Sequence, residues 1–277
     1  MKLRVISILT PILVLCALSA CTSGPTPPEK GSPAWLWASA KETFGSGDWM
    51  KCAEHLGKLT SGSSEFAEKA RPWELLVLGG MADGNIQLAD AYELGVRANR
   101  SNPSQFRKAI SEYRNQANRI ALGFAEKYAK FQTESKGETI TMEFAFPKGS
   151  AAMPVALGRI QAGIAIAPAE AADVQSKMES RSVVMAVCDA VDAAGDPAKG
   201  ADAFKSGSAT VPRGKFGAYL AGDLYKFSQI YIPMKLDVPD KLKHFLTAAA
   251  GAAAAAPEGK EKKDLVAKID AAKKKLK

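Results

Sequence analysis

Few side chains in this chain of 277 residues could make or break a bond. Its two histidines, His55 and His244, stand apart in sequence. His55 lies beside Glu54 in a helical pattern, and His244 follows Lys241 and Lys243. Neither has the His-x-x-x-His or His/Cys neighbours that a zinc site needs, so no metal is expected. A histidine base for Ser or Cys attack stays open, since such partners meet in space, but no Gly-x-Ser-x-Gly elbow is present. Arg213-Gly214-Lys215-Phe216-Gly217 sets glycines beside a lysine. It lacks the preceding glycine loop and the following Ser or Thr of a P-loop, and reads as a basic turn. Asp189 and Asp192 lie about one helical turn apart and could present two oxygen ligands, a spacing commoner on solvated helix faces. No catalytic residue and no cofactor is assigned.

Aromatic placement is more suggestive. All four tryptophans, Trp35, Trp37, Trp49 and Trp73, fall near the start of the folded part. Trp35 and Trp37 are about 200 degrees apart on a helix and cannot share a face. Core packing accounts for most such rings, and one that lines a groove would anchor a peptide or small ligand. These four residues are the candidate partner groove.

Helices must position them. Alanine-rich amphipathic stretches dominate, and the fold class expected is all-α, a set of helical hairpins or a bundle. Residues 33–59 read as two helices broken at Gly45-Ser46-Gly47, with Asp48 as N-cap. Residues 71–96 read as a second pair broken at Asp83-Gly84-Asn85, and residues 182–204 as a third broken at Gly195-Asp196. One long helix is predicted over 101–131, opened by Asn102-Pro103-Ser104, with Phe106, Ile110, Tyr113, Ala117, Ile120, Phe124, Tyr128 and Phe131 on one stripe. Ile140, Met142, Phe144 and Phe146 alternate with polar or small residues, the period of a half-buried strand. Ile160, Ala162, Ile164 and Ile166 repeat that period more faintly, which gives a candidate small β-hairpin within 139–166. Phe216, Leu220, Leu224, Phe227 and Tyr231 mark a further core helix stopped by Pro233, and residues 242–256 an alanine-rich helix ended by Pro257.

The three pairs resemble tetratricopeptide repeats, in which large and small apolar residues and a turn glycine recur at set spacing. The first unit offers Leu36, Ala40, Gly47, Trp49, Cys52, Leu56 and Leu59. The second offers Trp73, Leu76, Gly84, Ile86, Ala89 and Val96, and the third Val184, Val187, Cys188, Val191, Gly195, Gly200 and Phe204. Glu93, Gly80 and a spacing of 37 residues between Gly47 and Gly84 depart from the family pattern.

The N-terminus carries its own logic. Lys2 and Arg4 precede an uncharged apolar run from residue 5 to 20, the layout of a secretory signal and too short to span a bilayer comfortably. Leu18-Ser19-Ala20-Cys21 at its end resembles the lipobox of bacterial lipoproteins. That resemblance implies a diacylglycerol on the Cys21 thiol and cleavage after Ala20, with Leu18, Ser19 and Ala20 recognised by the peptidase. Two or three acyl chains hold a protein on a membrane firmly where one is marginal. Thr22, where an Asp resembles an inner-membrane retention signal in enterobacteria-like sorting, leans towards the periplasmic face of the outer membrane, with another cell-envelope membrane as the alternative. Residues 21–32, rich in Pro, Gly and Ser, form a flexible tether. The folded body then covers 33–256, and 257–277 is a basic C-terminal helix or tail. Its narrow stripe of Leu265, Ile269, Ala272 and Leu276 is surrounded by lysines and reads as a solvated helix on which the body does not depend.

The formal charge of +8 is unevenly spread. Lys2 and Arg4 leave with the signal, and eight lysines against Glu261, Asp264 and Asp270 lie after residue 259. The body between is nearly neutral, which argues against a nucleic-acid surface. Of four cysteines, Cys16 lies in the signal and Cys21 is the acylation site. Cys52 and Cys188 occupy helical positions that want a small side chain, so buried free thiols are expected over a disulfide.

Function is expected to be non-enzymatic: a lipid-anchored envelope scaffold that docks a protein or peptide on its helical surfaces. The alternative is a small-ligand accessory lipoprotein. Lipoproteins with degenerate helical repeats that accompany tripartite solute transporters are broadly similar. A third reading, a cell-wall hydrolase, lacks a nameable acid and base.

Overall fold

The computed structural model describes residues 27–100, 103–148, 151–231 and 239–276. The signal, the lipobox with Cys21, the first half of the tether, Asn102 and Pro233 lie outside these residues.

The fold is all-α with one small two-stranded element. Helix α1 (Pro33–Ser46) starts where the Ser32 hydroxyl accepts a hydrogen bond from the Trp35 N–H at 3.2 Å, with Pro33 in its first turn. It stops at Gly47, whose φ of 78° lets the chain turn back. Asp48 then caps α2 (Trp49–Ser61), its carboxylate accepting from the Lys51 N–H at 3.3 Å. This first hairpin is as expected.

The second is not. Residues 67–98 form one unbroken helix, α3 (Ala67–Ala98), straight through Asp83-Gly84-Asn85. Its glycines serve contact, not a turn. A β-carbon on Gly80 would stand 2.5 Å from the Val183 Cα, and one on Gly84 would stand 2.9 Å from the Glu179 Cα. Four residues apart, the two open one face on which α6 (Pro168–Ala190) lies backbone to backbone. The other long partner of α3 is α4 (Ser104–Glu134), close to the long helix expected.

Strand β1 (Thr139–Met142) alternates as predicted, with Ile140 and Met142 buried. Its partner differs from the candidate hairpin. It pairs antiparallel with β2 (Ala209–Pro212), Thr139 opposite Pro212 and Met142 opposite Ala209. Residues 155–161 form instead a short helix, α5 (Val155–Gln161), with Ile160 turned onto α3. The faint alternation there belongs to this helix and the loop after it, in which Ile164 is exposed and Ile166 buried.

The chain leaves α6 through Asp192, Ala194 and Gly195, all at positive φ, and α7 (Pro197–Ala203) is capped by Asp196. The third pair is thus a long helix and a short one. Helices α8 (Arg213–Ser228) and α9 (Pro239–Ala254) pack closely together. The tail forms α10 (Lys260–Lys274), and its apolar stripe is seated rather than free: Ile269 is fully buried, with Leu265, Ala272 and Leu276 against the main core. The Lys262 ammonium also donates to the Ala254 and Ala256 carbonyls at 3.1 and 2.9 Å, binding α10 to the end of α9.

Two large apolar cores result, beside a small cluster of Val184, Cys188 and Ala193. The larger spans α1, α2, the first half of α3, the second half of α4, the end of α6, β1 and β2, and α8 to α10. The smaller, around Leu88, Tyr92, Phe106, Tyr113, Ile160 and Met178, fills the far end of α3 and α4. No described helix is long and apolar enough to cross a membrane.

Candidate functional site

The tryptophans do not form an open groove. Trp37, Trp49 and Trp73 are buried in the main core. Trp73 stacks on Phe144 with centroids 4.6 Å apart, and Phe44 meets Trp49, Trp73 and Phe144 edge-on. Only Trp35 is half-buried, its ring edge-on to His55 at 5.5 Å. The reason lies in α1 and α2. With a two-residue turn between them, their apolar faces close on each other and on β1 and leave no gap for a partner.

The other sequence candidates are dispersed. His55 packs against Trp35 and has no hydrogen bond at Nδ1, while His244 is exposed on α9. Cys52 and Cys188 are separate buried thiols, both pushed up by burial, to about 12 and about 11. Arg213 lays its guanidinium over the Phe131 ring and donates to the Phe131 carbonyl. Among the described residues no three His, Cys, Asp or Glu side chains converge as a metal would require.

A polar seam emerges where α3, α6 and α8 meet. On α3, Asp83 and Gln87 are four residues apart and share a face; on α8, Tyr219, Asp223 and Lys226 do the same. Gln87 Nε2 donates to Asp83 Oδ2 at 2.7 Å and to the Ser182 hydroxyl of α6 at 3.2 Å. Arg181 donates to Gln87 Oε1 at 3.3 Å. The Lys226 ammonium pairs with Asp83 across the helices.

At the centre is Asp223. Its Oδ2 is sealed from solvent and has no hydrogen-bond partner. Burial pushes its carboxyl up to about 7, against the pull of the Tyr219 hydroxyl that hydrogen-bonds to it. The Asp83 and Asp189 charges add to the rise and Lys226 opposes it. The Tyr219 phenol is raised well above its ordinary value by burial and by Asp223. Gly79 faces the pair from α3. A β-carbon there would stand 3.0 Å from Asp223 Oδ2, so glycine makes the room this carboxyl occupies.

Tyr219 also looks the other way. With Asp189, Asp192, Glu258 and Glu261 it lines a cleft of about 600 Å³ framed by α8, the end of α6, and the α9–α10 connection. Ala218, Ala253 and Ala256 keep it open. Asp189 stands at the edge, its carboxyl raised chiefly by the protein packed around it and lowered by the Gly195 backbone N–H. Of the three lining lysines, Lys215 is engaged by Asp192 and Lys262 by Glu258 and the α9 carbonyls, while Lys260 forms no ion pair among the described residues. The Asp189 and Asp192 pair noted in the sequence is therefore part of this wall.

Sequence reasoning missed Tyr219 and Asp223. The available signal was an aspartate one turn after a tyrosine, bordering the core stripe Phe216, Leu220, Leu224 and Phe227, a charge where a surface helix would be expected to stay wet. Comparison of the chain with protein-family models, with curated proteins and with solved structures yields no match.

Proposed function

We propose that this chain is a lipid-anchored envelope protein, held through Cys21, whose helical body binds a small cationic ligand in the cleft beside Tyr219. One observation carries this reading: a cleft of about 600 Å³ rimmed by four carboxylates, Asp189, Asp192, Glu258 and Glu261, against three lysines, of which Lys215 and Lys262 are already engaged by Asp192 and Glu258 and Lys260 is not. A cavity of that size with convergent polar groups suits a small molecule, and unspent carboxylates suit an amine. Asp223 lies behind Tyr219 and does not line the cleft, so its role is to bias the field there, not to touch the ligand.

A thermal-shift screen of the purified chain with polyamines, amino sugars and short basic peptides tests it. Cations raise the melting temperature, neutral and anionic analogues do not, and Asp189→Asn with Glu261→Gln abolishes the shift. Shifts that persist in that double variant rule the cleft out. The anchor is tested separately: Cys21→Ala loses incorporation of radiolabelled palmitate, and unchanged labelling refutes it.

A docking role remains the second reading, favoured by exposed Val155, Met153, Ile164 and Leu94, which are 92%, 50%, 49% and 45% accessible. A photo-crosslinker at Val155 then yields a discrete envelope adduct in cells, and only water-quenched product eliminates this reading.

A further inference from the structure

At the opposite end of α3 from the aromatic core, the last turns of this helix and the first turns of α4 enclose a groove of about 370 Å³. Three arginines line it, Arg97, Arg107 and Arg114, with Glu93 as its single carboxylate and Val96 and Ile110 as its apolar floor. Arg107, Ile110 and Arg114 follow at spacings of three and four on α4, and Glu93, Val96 and Arg97 at three and one on α3. The two helices thus each contribute one face.

Charge is not balanced there. Glu93 clamps Arg114, whose side chain is only 13% exposed, and is itself 4.0 Å from the outlying Arg97. Asp90 of α3 adds its charge to that of Glu93 beside Arg114, so two carboxylates face three guanidinium groups. Arg107 is exposed and forms no ion pair among the described residues. Solvated faces interleave the two signs. Here like charges are gathered over an apolar floor, where their field is less damped than in open water. Guanidinium forks match the oxygens of a phosphate two at a time, and a phosphate monoester, close to a dianion at neutral pH, supplies the charge the groove lacks.

We propose that Arg97, Arg107 and Arg114 form a binding site for a terminal phosphate group close to a dianion, either the monoester of a lipid headgroup or free phosphate. Arg114, held by Glu93, gives a fixed donor, while Arg97 and Arg107 close from either side. The site is remote from the cleft beside Tyr219 and stands or falls independently of it.

Phosphorus NMR of the full chain in neutral detergent tests the proposal with two probes, inorganic phosphate and a short-chain phosphatidic acid. Both phosphorus resonances shift saturably with protein. Arg107→Gln weakens binding about tenfold. Lys108→Gln, one residue away and 3.8 Å from Glu112, leaves it unchanged. Circular dichroism confirms that both variants stay folded, as expected for exposed side chains. A response from phosphatidic acid alone assigns the site to a headgroup, and a response from both assigns it to the phosphate itself. No saturable shift with either probe, or equal losses in the two variants, overturns the site, the latter because it marks diffuse attraction between charges.

Discussion

Along its first turns α3 presents Trp73 to a stack of rings; three turns later the same helix presents Asp83 and Gln87 to α6 and α8. Around Trp73 shape decides most, although the Trp49 and Trp73 indole N–H groups are buried without a hydrogen-bond partner. Phe44, Phe144 and Trp49 interlock through offset and edge-on contacts, a geometry that adds to simple burial. Around Asp83 and Asp223 the helices meet through groups that water would hold better, and a carboxyl oxygen is left unpaired. The difference teaches where stability and function separate. The aromatic region is built to stay closed, whereas the seam tolerates an expensive group, and such groups collect at working sites more often than elsewhere.

The comparison can be broken in order of size. Trp73→Ala removes the ring at the centre of the stack and lowers stability by about 4 kcal/mol in a urea titration. A loss under about 1 kcal/mol would show that the stack re-packs and is not the anchor of the fold. Gly80→Ala places a methyl against the Val183 backbone and costs about 2 kcal/mol. Measured the same way, an unchanged midpoint would mean that α6 can stand off from α3.

The seam is probed by pH. A carboxyl raised by folding is protonated in the folded chain and ionised in the unfolded one between its ordinary 3.8 and about 7. Across that window folding takes up a proton, so stability is greatest below it, falls as the pH climbs, and levels off above. Asp223→Asn removes this slope. The variant's melting temperature, compared with that of the parent, therefore gains steadily from pH 4.5 to 7.5 and no further. Parallel curves would place the carboxyl in a wetter setting than the seam provides. The smallest effect lies outside both regions: Asp48→Ala removes an exposed helix cap, costing about 1 kcal/mol. No change there would leave Gly47 alone to set the α1–α2 turn.

Much of the fold was legible in residue order. The α1–α2 turn, the stripe of α4, the alternation of Ile140 and Met142, and the burial of Cys52 and Cys188 each follow from local chemistry or period. What was misread shares one cause. Asp83-Gly84-Asn85 has the composition of a turn, but a glycine in a helix also permits close approach, and only the position of α6 distinguishes the two. The partner of β1 lies some seventy residues on, at a distance that no local pattern encodes. The tail stripe of Leu265, Ile269, Ala272 and Leu276 was visible, yet its lysines suggested solvent on every side until α8 and α9 were seen to receive it. At the candidate site the acidic pair Asp189 and Asp192 could be named in advance, while Asp223 could not, since its burial is produced by three helices far apart in sequence. The tryptophans failed as a groove because counting rings says nothing about which way they face.

Helix α3 belongs to both cores. At 32 residues it is about 48 Å long, and it contributes Trp73 to one core and Leu88 and Tyr92 to the other. Neither half can therefore melt alone without unwinding a helix that the other half still holds. The body should lose its structure in a single transition, and the amides at the middle of α3 should exchange with solvent only through that global event. For the tethered envelope protein proposed above, such indivisibility would matter as much as total stability: a protease cut requires the whole body to open, and partial fraying exposes little to cut.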